Sequence, residues 1–577
     1  MKLKNFYSKL NEKVKIALEK CNYEMDLINV TESNRPDLGE FQFNGAMALA
    51  KKYHKSPLDI ANEIVNILKE DDFFESVTVA NPGFINFKLS EKALVEFLNN
   101  CDFSFDAKDK LIFLDYGGAN VAKSLHVGHL RSANIGEALK RLCKYMGYKT
   151  VSDTHLGDFG RPLGLVILEL SKRYPDWVYF DEGYTGEYPD VSITNKDLEE
   201  IYPYASTKAK EDEEYLKEAQ VMTKKLQDGV RGIYALWEKI MEISKTDIKG
   251  IYDRLNTNFD LYKGESDAEK YVPELLEYLE PLNIIEESDG AKVIRVSEDT
   301  DKLEIPPMLL LKSDGGILYS TTELSTIYDR MKNYNPDEIW YIVDKRQNLH
   351  FTQVFRAAKR ANLAPNTELV FAGFGTMNGS DGKPFKTRDG GVMKLTDLLS
   401  LVKEECLKRL NDNVTENRDS IAEDIAISAI KYADMLPNRV SDYVFDIEKF
   451  CDLDGKTGPF ILYSTIRMKS LLDKAKDSNI SYDELSLVDN TYDRDVILNL
   501  INFHSVLEKA FETKSLNDIT DYLYKLTSSY NRFYTENIIL KEDNEDKRNS
   551  WLYLTSVVYE VNKILLDILA INLPEKM

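Results

Sequence analysis

A short stretch between residues 106 and 153 places the strongest limit on the fold. LIFLD at 111–115 has the continuous apolar character of a buried strand, and a loop with two glycines follows it. Apolar residues then recur about one turn apart from Leu130 to Met146, Gly147 stands where a helix ends, and YKTVSD has the pattern of a strand. This order predicts a β-loop-α-β crossover, the unit of a parallel sheet with right-handed connections.

The rest of the chain predicts two further units around that sheet. We predict an N-terminal α+β domain at 1–105, a Rossmann-like α/β domain at 106–420 with helical insertions around 170–300, and an all-α bundle at 421–577. In the first unit, GAMALAKKY and SPLDIANEIVNIL predict helices, the second beginning after Ser56, and VTVANPGFINFKLS predicts two strands. Apolar residues spaced three or four apart predict helices throughout the last unit, including one over RDVILNLINFHSVLEKAFE.

Composition excludes several classes of protein. No apolar run approaches the ~18–20 residues of a membrane helix, and the Lys-rich start lacks the apolar centre of a secretory leader. The 5 cysteines lie far apart without a C-x-x-C pair, which argues against a Cys-rich zinc site and fits a reducing cytoplasm. We therefore expect a cytoplasmic protein without a membrane segment.

The net charge of −23 argues against a protein that coats nucleic acid without specificity. It does not exclude local recognition of a polyanion, because six Lys and two Glu fall within residues 1–20. The same lysines would also suit a solvated helix face.

Residues 115–137, DYGGANVAKSLHVGHLRSANIGE, carry the most specific pattern. The loop after the first strand feeds a helix that begins near His126 and His129, and a helix N-terminus at the carboxyl end of a parallel sheet binds anions. The stretch contains neither G-x-G-x-x-G nor G-K-[ST], which disfavours a dinucleotide fold and a P-loop. A lone H-x-G-H would also fit a turn, but His155 and His350 lie in other candidate segments, and such clustering favours function.

Several ordered segments resemble one family. ANVAKSLHVGH (119–129) resembles the His-Ile-Gly-His signature of class I aminoacyl-tRNA synthetases, in the extended form of the arginyl-tRNA synthetases. The resemblance continues over nearly the whole chain, in NPGFINFKLS, THLGDFGRPLG, YSTTE, RQNLH, DGKPFKTRDGGVMKL, IKYADMLPNRVSDYVFD, GPFILYSTIR and LPEKM. It implies a tRNA-binding N-terminal domain, a catalytic sheet domain and a helical anticodon-binding domain.

The resemblance also implies residues that bind and activate ATP. Contacts to ATP are implied for Ala119, Asn120, Val121, Ala122, Lys123, Ser124, Leu125, His126, Val127, Gly128, His129 and Lys383, and catalytic roles for His126, His129, Lys123, Lys386 and Arg388. The second signature, Lys-Met-Ser-Lys-Ser, is only approximated by KPFKTR (383–388), and the resemblance implies that Lys123 supplies the missing charge. An ordinary solvated basic turn is the other interpretation of that loop.

Recognition of a guanidinium group requires carboxylates, aromatic walls and amide acceptors. The candidates for binding arginine are Asp115, Asn120, His155, Tyr319, Glu323 and Gln347. The resemblance places Glu323 and Tyr319 at the guanidinium, and Asp115, Asn120 and Gln347 nearer the ammonium and carboxylate groups. Taken singly, Asp115 would also fit a strand-end cap and Tyr319 a core aromatic.

The resemblance implies an arginine–tRNA ligase whose partners are L-arginine, tRNA(Arg) and ATP, the last with Mg²⁺. We expect a monomer with no protein-bound structural metal. Two alternatives remain open at this point: a nucleotidyltransferase or synthetase-derived ligase with another acceptor, and a non-catalytic tRNA-binding paralogue.

Overall fold

The computed structural model describes residues 5–379, 381–383, 385, 393–410 and 417–577. Residues 5–105 form four helices against an antiparallel sheet of order β1-β2-β4-β3. The elements are α1 (Phe6–Lys20), β1 (Val30–Glu32), β2 (Phe41–Phe43), α2 (Gly45–Tyr53), α3 (Pro57–Leu68), β3 (Phe74–Ala80), β4 (Phe84–Leu89) and α4 (Glu91–Asn100). The two predicted helices are confirmed as α2 and α3, and the two strands as β3 and β4.

The central region follows in the order strand, helix, strand. Its elements are β5 (Leu111–Asp115), α5 (Val127–Tyr145), β6 (Lys149–Asp153), α6 (Arg161–Arg173), α7 (Asn195–Glu211), α8 (Glu213–Gln227), α9 (Arg231–Arg254), α10 (Glu265–Glu269), α11 (Val272–Leu279), β7 (Ile285–Ser288), β8 (Ala291–Ile294), β9 (Met308–Leu311), α12 (Tyr319–Asn333), β10 (Glu338–Tyr341), α13 (Asn348–Arg360), β11 (Glu368–Phe371), β12 (Met377–Asn378) and α14 (Leu395–Arg409).

The main sheet is parallel, with strand order β11-β10-β5-β6. The predicted crossover is confirmed: β5 leads through α5 to its neighbour β6, and Gly147 follows the helix with φ +86°. Ile112 and Leu114 of β5 lie in one hydrophobic cluster and Phe113 lies in another, so both faces of this strand are covered and all three residues are fully buried. The carboxyl ends of these strands therefore meet at one edge, where parallel sheets of this type bind ligands.

The segment between α6 and α12 is only partly as predicted. Helices α7 to α11 confirm its helical character, but it also contains an antiparallel sheet of order β7-β8-β9. These strands have four residues each, too short to show a clear alternation among the charged residues around them.

The last part of the chain is helical apart from one short strand among its described residues. Its elements are α15 (Arg418–Met435), β13 (Tyr443–Val444), α16 (Ile447–Phe450), α17 (Gly458–Asp477), α18 (Thr491–Ile501), α19 (Phe503–Thr513), α20 (Asn517–Glu536) and α21 (Glu545–Ile568). The single helix predicted from RDVILNLINFHSVLEKAFE is wrong, because Asn502 separates α18 from α19 and its side chain accepts a hydrogen bond from the Tyr7 hydroxyl at 2.6 Å.

Buried ionic contacts join the main sheet to the helical end. In α5, Arg131 donates to Asp434 of α15 at 2.8 Å and also to the carbonyl oxygens of Gly375 and Ser441. Asn134, one turn further along α5, donates to the other oxygen of Asp434 at 3.0 Å. The helix that begins at the histidine pair is thus fixed directly to the C-terminal helices.

The described residues contain neither a candidate membrane helix nor a candidate metal-binding cluster. Among the helices that the structure describes, none has both the length and the apolar character needed to cross a bilayer. The same residues contain no group of three or more His, Cys, Asp or Glu side chains placed to hold a metal ion.

Candidate active site

The two signature histidines cap the N-terminus of α5. The Nδ1 of His126 accepts a hydrogen bond from the backbone N–H of Gly128 at 3.0 Å, and the Nδ1 of His129 accepts from that of His126 at 3.1 Å. Gly128 is required because a Cβ there would lie 2.7 Å from the His126 ring. The pattern H-x-G-H therefore builds a reciprocal helix cap from two imidazoles.

This cap also determines the form of the two rings. Burial, aided by the charge of Lys123, lowers the pKa of His126, and burial beside His126 lowers the pKa of His129 to about 3. Both rings are therefore neutral at pH 7, and a neutral ring that accepts at Nδ1 carries its proton at Nε2. Each histidine keeps an Nε2–H donor for another group, at a helix end that attracts anions.

Backbone pairing holds the loop that precedes this helix. Ala119 and Val121 exchange hydrogen bonds with Gly157 at 2.9 and 3.0 Å, and a Cβ on Gly157 would lie 2.4 Å from the Asn120 side-chain oxygen. On the other side, residues 125–127 pair with 393–395 through hydrogen bonds of 2.9 and 3.1 Å. The first signature therefore lies against the segment that follows the predicted second signature.

A buried charge cluster lies where β5 and β6 end. Asp115 and Asp153 are paired across the two strands, and the guanidinium of Arg330 from α12 lies 2.5 Å from Asp115 and 3.3 Å from Asp153. All three side chains are buried. Asp115 is therefore more than a strand-end cap, because it holds a buried arginine of the chain itself.

Two further carboxylates, one from α12 and one from α10, face the same space. Glu323, also in α12, is 3% exposed, and burial raises its pKa although His155 and Arg330 act against the shift. Its Oε2 has no hydrogen-bond partner among the described residues. Glu265 begins α10, and burial raises its pKa to about 7.

His155 lies between these acids. Burial acts to lower its pKa, but the carboxylates of Asp153, Glu323 and Asp115 outweigh burial and raise the pKa to about 9. The ring nitrogen is 3.9 Å from Asp153, an ion-pair distance that is too long for a hydrogen bond. His155 is thus a partial counter-charge to the acids.

The histidine cap and the side chains of Asp115, His155, Glu265 and Glu323 meet in one cavity of about 390 Å³. It is lined by Asp115, Gly118, Ala119, Asn120, His126, Gly128, His129, Ser132, His155, Gly157, Glu265, Tyr319, Glu323, Val343, Asp344, Arg346, Gln347, Phe351 and Phe374. All six residues predicted to bind arginine are among them. The Tyr319 ring stacks on His350 with centroids 4.6 Å apart, so it is a cavity wall rather than a core aromatic.

Part of the predicted ATP-binding set lies elsewhere. Of that set, Ala119, Asn120, His126, Gly128 and His129 line the cavity, while Val121, Ala122, Leu125 and Val127 are buried in the core. Lys123 and Ser124 are half-buried beside the cavity, and Lys383 is exposed. Lys386 and Arg388 lie outside the described residues.

The structure adds site residues that the sequence analysis missed. Asp153 ends β6, which pairs with β5, and Asp115 ends β5. The predicted crossover therefore already indicated that the two acids lie side by side. Arg330 follows Glu323 by seven residues, two turns along the same helix face, which was a second signal. Glu265 was not distinguishable, because it lies in an acidic stretch of the insertion without any pattern of its own.

Family models match three successive parts of the chain. They are described as "Arginyl tRNA synthetase N terminal domain" over residues 8–89, "tRNA synthetases class I (R), catalytic domain" over 95–447 and "DALR anticodon binding domain" over 461–577. Curated relatives include arginine–tRNA ligases of Agathobacter rectalis, 45% identical with all of both chains covered, and Alkaliphilus oremlandii, 44% identical with 98% of each covered. The chain belongs to the arginyl-tRNA synthetase family.

Solved structures of arginyl-tRNA synthetases share the fold. The Plasmodium falciparum enzyme aligns over all of both chains with a TM-score of 0.82 at 24% identity. The Thermus thermophilus enzyme aligns with 99% of this chain and all of its own, with a TM-score of 0.79 at 21% identity. The predicted fold, a parallel-sheet catalytic domain with an N-terminal domain and a helical C-terminal domain, is therefore confirmed.

Proposed function

We propose that this chain is an arginine–tRNA ligase that forms arginyl-adenylate from L-arginine and ATP and transfers the arginine to tRNA(Arg). One observation carries the proposal: a single cavity combines the neutral His126–His129 cap with the carboxylates of Asp115, Glu265 and Glu323. The histidine cap suits a polyphosphate, and the carboxylates suit a ligand with two cationic groups. The family relationship and the resemblance of the end regions favour tRNA as the acceptor over other acceptors and over a non-catalytic role.

In the first step, the arginine carboxylate attacks the α-phosphate of ATP. A new bond forms between a carboxylate oxygen and phosphorus, and the bond to the bridging oxygen breaks to release pyrophosphate. The protein mainly has to position the two anions and stabilise the charge that develops on phosphate. The Nε2–H groups of His126 and His129 donate to phosphate oxygens, Lys123 supplies a positive charge, and Mg²⁺ arrives with the ATP.

The acids divide the two cationic ends of arginine between them. Glu323 and Glu265 bind the guanidinium, with Tyr319 as an aromatic wall, because Glu323 is buried, Glu265 is half-buried, and neither carboxylate has a full counter-charge. Asp115 is already paired with Arg330, so it contributes to the ammonium end together with Asn120 and Gln347. His155 lies between the acids at the guanidinium end and those at the ammonium end, and its ring partly neutralises their negative charge.

In the second step, a hydroxyl of the terminal ribose of tRNA attacks the arginyl carbonyl, and AMP leaves. We assign tRNA contacts to residues 1–105 and 421–577, around a catalytic domain at 106–420, and the enzyme acts as a cytoplasmic monomer. Arg494 supports a fixed arrangement of the two ends, because it donates to Glu40 and to the carbonyl oxygen of Leu89, both at 2.6 Å.

The basic faces for tRNA are unequal. In α1, Lys9 pairs with Glu96 at 2.6 Å and Lys13 with Asp71 at 2.7 Å, which neutralises part of the local positive charge. By contrast, Lys474 and Lys476 at the end of α17 are exposed and form no ion pair with a described residue. Reversing both α17 charges should therefore weaken tRNA binding and flatten its salt dependence more than reversing Lys9 and Lys13.

The proposal is tested by amino-acid-dependent exchange of pyrophosphate into ATP, with and without tRNA, across all twenty amino acids. Exchange that depends on arginine, followed by charging of purified tRNA(Arg), is the expected result. Exchange with another amino acid would refute the substrate assignment, and the absence of exchange under every condition would refute the reaction.

A further inference from the structure

The ammonium group of Lys123 lies over an aromatic ring. Its Nζ lies 4.4 Å from the centroid of the Tyr202 ring, which comes from α7 in the insertion. No carboxylate of a described residue lies within ion-pair distance of that Nζ. The charge nevertheless acts on the site. Burial is the main cause of the lowered pKa of His126 and of His129, and the positive charge of Lys123 adds to the lowering in both cases.

Tyr202 is held firmly enough to position a neighbour. Its ring is half-buried and packs against the cluster formed by Leu165 and Leu168 of α6 with Ala205 of its own helix. One turn before it on α7, Glu199 pairs with Lys394 at 2.6 Å. Lys394 belongs to the segment that pairs with residues 125–127, so α7 contacts both segments beside the histidine cap.

A second helix of the insertion holds the backbone next to Lys123. Ser244 of α9 accepts a hydrogen bond from the backbone N–H of Ala122 at 3.2 Å. Ala122 has a φ of +59°, a left-handed conformation that is costly for a residue with a Cβ. The contact helps to maintain this turn, which sets the direction in which the next side chain leaves the loop.

We propose that Tyr202 is a positioning residue that holds the ammonium of Lys123 beside the signature histidines before ATP binds. The inference rests on the proposed function, because it assigns Lys123 to the phosphates of ATP. Lysine has a flexible four-carbon stem, and restricting it in advance reduces the entropy lost when the phosphates arrive. An aromatic face attracts a cation without neutralising it, unlike a carboxylate, so the full charge stays available.

The size of the effect follows from the cation–π contact. An interaction of this kind contributes roughly 3- to 30-fold to an equilibrium, with the larger value for desolvated pairs. Because Lys123 is half-buried, we expect Tyr202→Leu to raise the KM for ATP about 10-fold and to leave the KM for arginine unchanged. Tyr202→Phe keeps the aromatic face and should behave as the wild type.

The experiment is a double-mutant cycle measured by arginine-dependent pyrophosphate exchange on the full chain, with tRNA present. It compares wild type, Tyr202→Leu, Lys123→Met and the double variant, and adds Tyr202→Phe and the control Tyr204→Leu. Tyr204 lies on the same helix and is 48% exposed, against Arg173 and Lys208 rather than the signature. The expected result is non-additive: the double variant is no worse than Lys123→Met, and Tyr204→Leu matches the wild type.

Three results would overturn the inference: an unchanged KM for ATP in Tyr202→Leu, an effect of that substitution that persists in full without Lys123, or a Tyr202→Phe variant as impaired as Tyr202→Leu. Thermal unfolding is recorded for each variant, and Tyr202→Met replaces Tyr202→Leu if the latter does not fold. Wild-type exchange is measured first. Its absence would refute the proposed function, whereas wild-type exchange combined with any of these three results refutes only the role of Tyr202.

Discussion

Glu323 offers the sharpest test of how the cavity selects its amino acid. It is buried, one of its oxygens has no hydrogen-bond partner among the described residues, and burial raises its pKa. A bound guanidinium would supply the missing partner. Glu323→Gln keeps the size of the side chain and one acceptor oxygen, removes the negative charge, and replaces the other oxygen by an NH2 donor.

The magnitude follows from what remains in the cavity after the substitution. Removing one partner of a buried charge pair costs about 2–5 kcal/mol. Glu265 still faces the cavity, and His155 already offsets part of the charge of Glu323, so the lower end of the range applies. A loss of about 2–3 kcal/mol corresponds to a rise in the KM for arginine of roughly 30- to 150-fold.

The assay compares arginine with citrulline, which replaces the guanidinium by a neutral urea group, in tRNA-supported pyrophosphate exchange. The Glu323→Gln variant should lose much more affinity for arginine than for citrulline, so discrimination between the two ligands shrinks. Glu269→Gln is the matched control, because burial also raises the pKa of Glu269 to about 7 but its side chain does not line the cavity. It should leave discrimination unchanged.

Stability provides the second readout for Glu323→Gln. A buried carboxyl with a raised pKa is costly to keep ionised at pH 7, so the neutral glutamine should leave the melting temperature unchanged or raise it. An equal loss of affinity for arginine and for citrulline would refute the assignment of Glu323 to the guanidinium. A large fall in the melting temperature would show instead that the carboxylate stabilises the fold.

Three further predictions follow from the same geometry. His126→Ala and His129→Ala should each lower the rate of adenylate formation by roughly 10²–10³-fold with little change in arginine affinity, while His54→Asn, at an exposed left-handed position, should match the wild type in single-turnover assays. Arginine binding near pH 7 should release protons, because the guanidinium lowers the raised pKa of Glu265; calorimetry in buffers of different ionisation enthalpy should show this, and identical heats would contradict it. The buried Lys431 has its pKa lowered to about 7, so the folded chain binds fewer protons than the unfolded one between about pH 7 and 10.5, and the free energy of unfolding should rise with pH over that window. Denaturant titrations should show this rise flattened in Lys431→Met.

The sequence by itself determined the local elements and the main parts of the site. The apolar run of β5, the one-turn spacing in α5 and Gly147 are short-range patterns, and steric and hydrophobic rules act on them directly. H-x-G-H determined its own helix cap, because the two imidazoles bond to backbone groups only two and three residues away. The ordered motifs indicated the family, because several motifs in a fixed order along the chain are far more specific than any single one.

Only the tertiary structure decided which charges meet. Asp115 and Arg330 are 215 residues apart, and the pair exists because the side chain of Arg330, in α12, reaches the end of β5 over the ring of Phe113. Glu265 joins the cavity because α10 lies beside the loop after β6, where the backbone of Leu156 pairs with Gly264. Lys123 meets Tyr202 because the insertion folds back over the signature loop. Such contacts depend on the packing of whole elements, and no pattern along the chain encodes the distance between two side chains from separate elements.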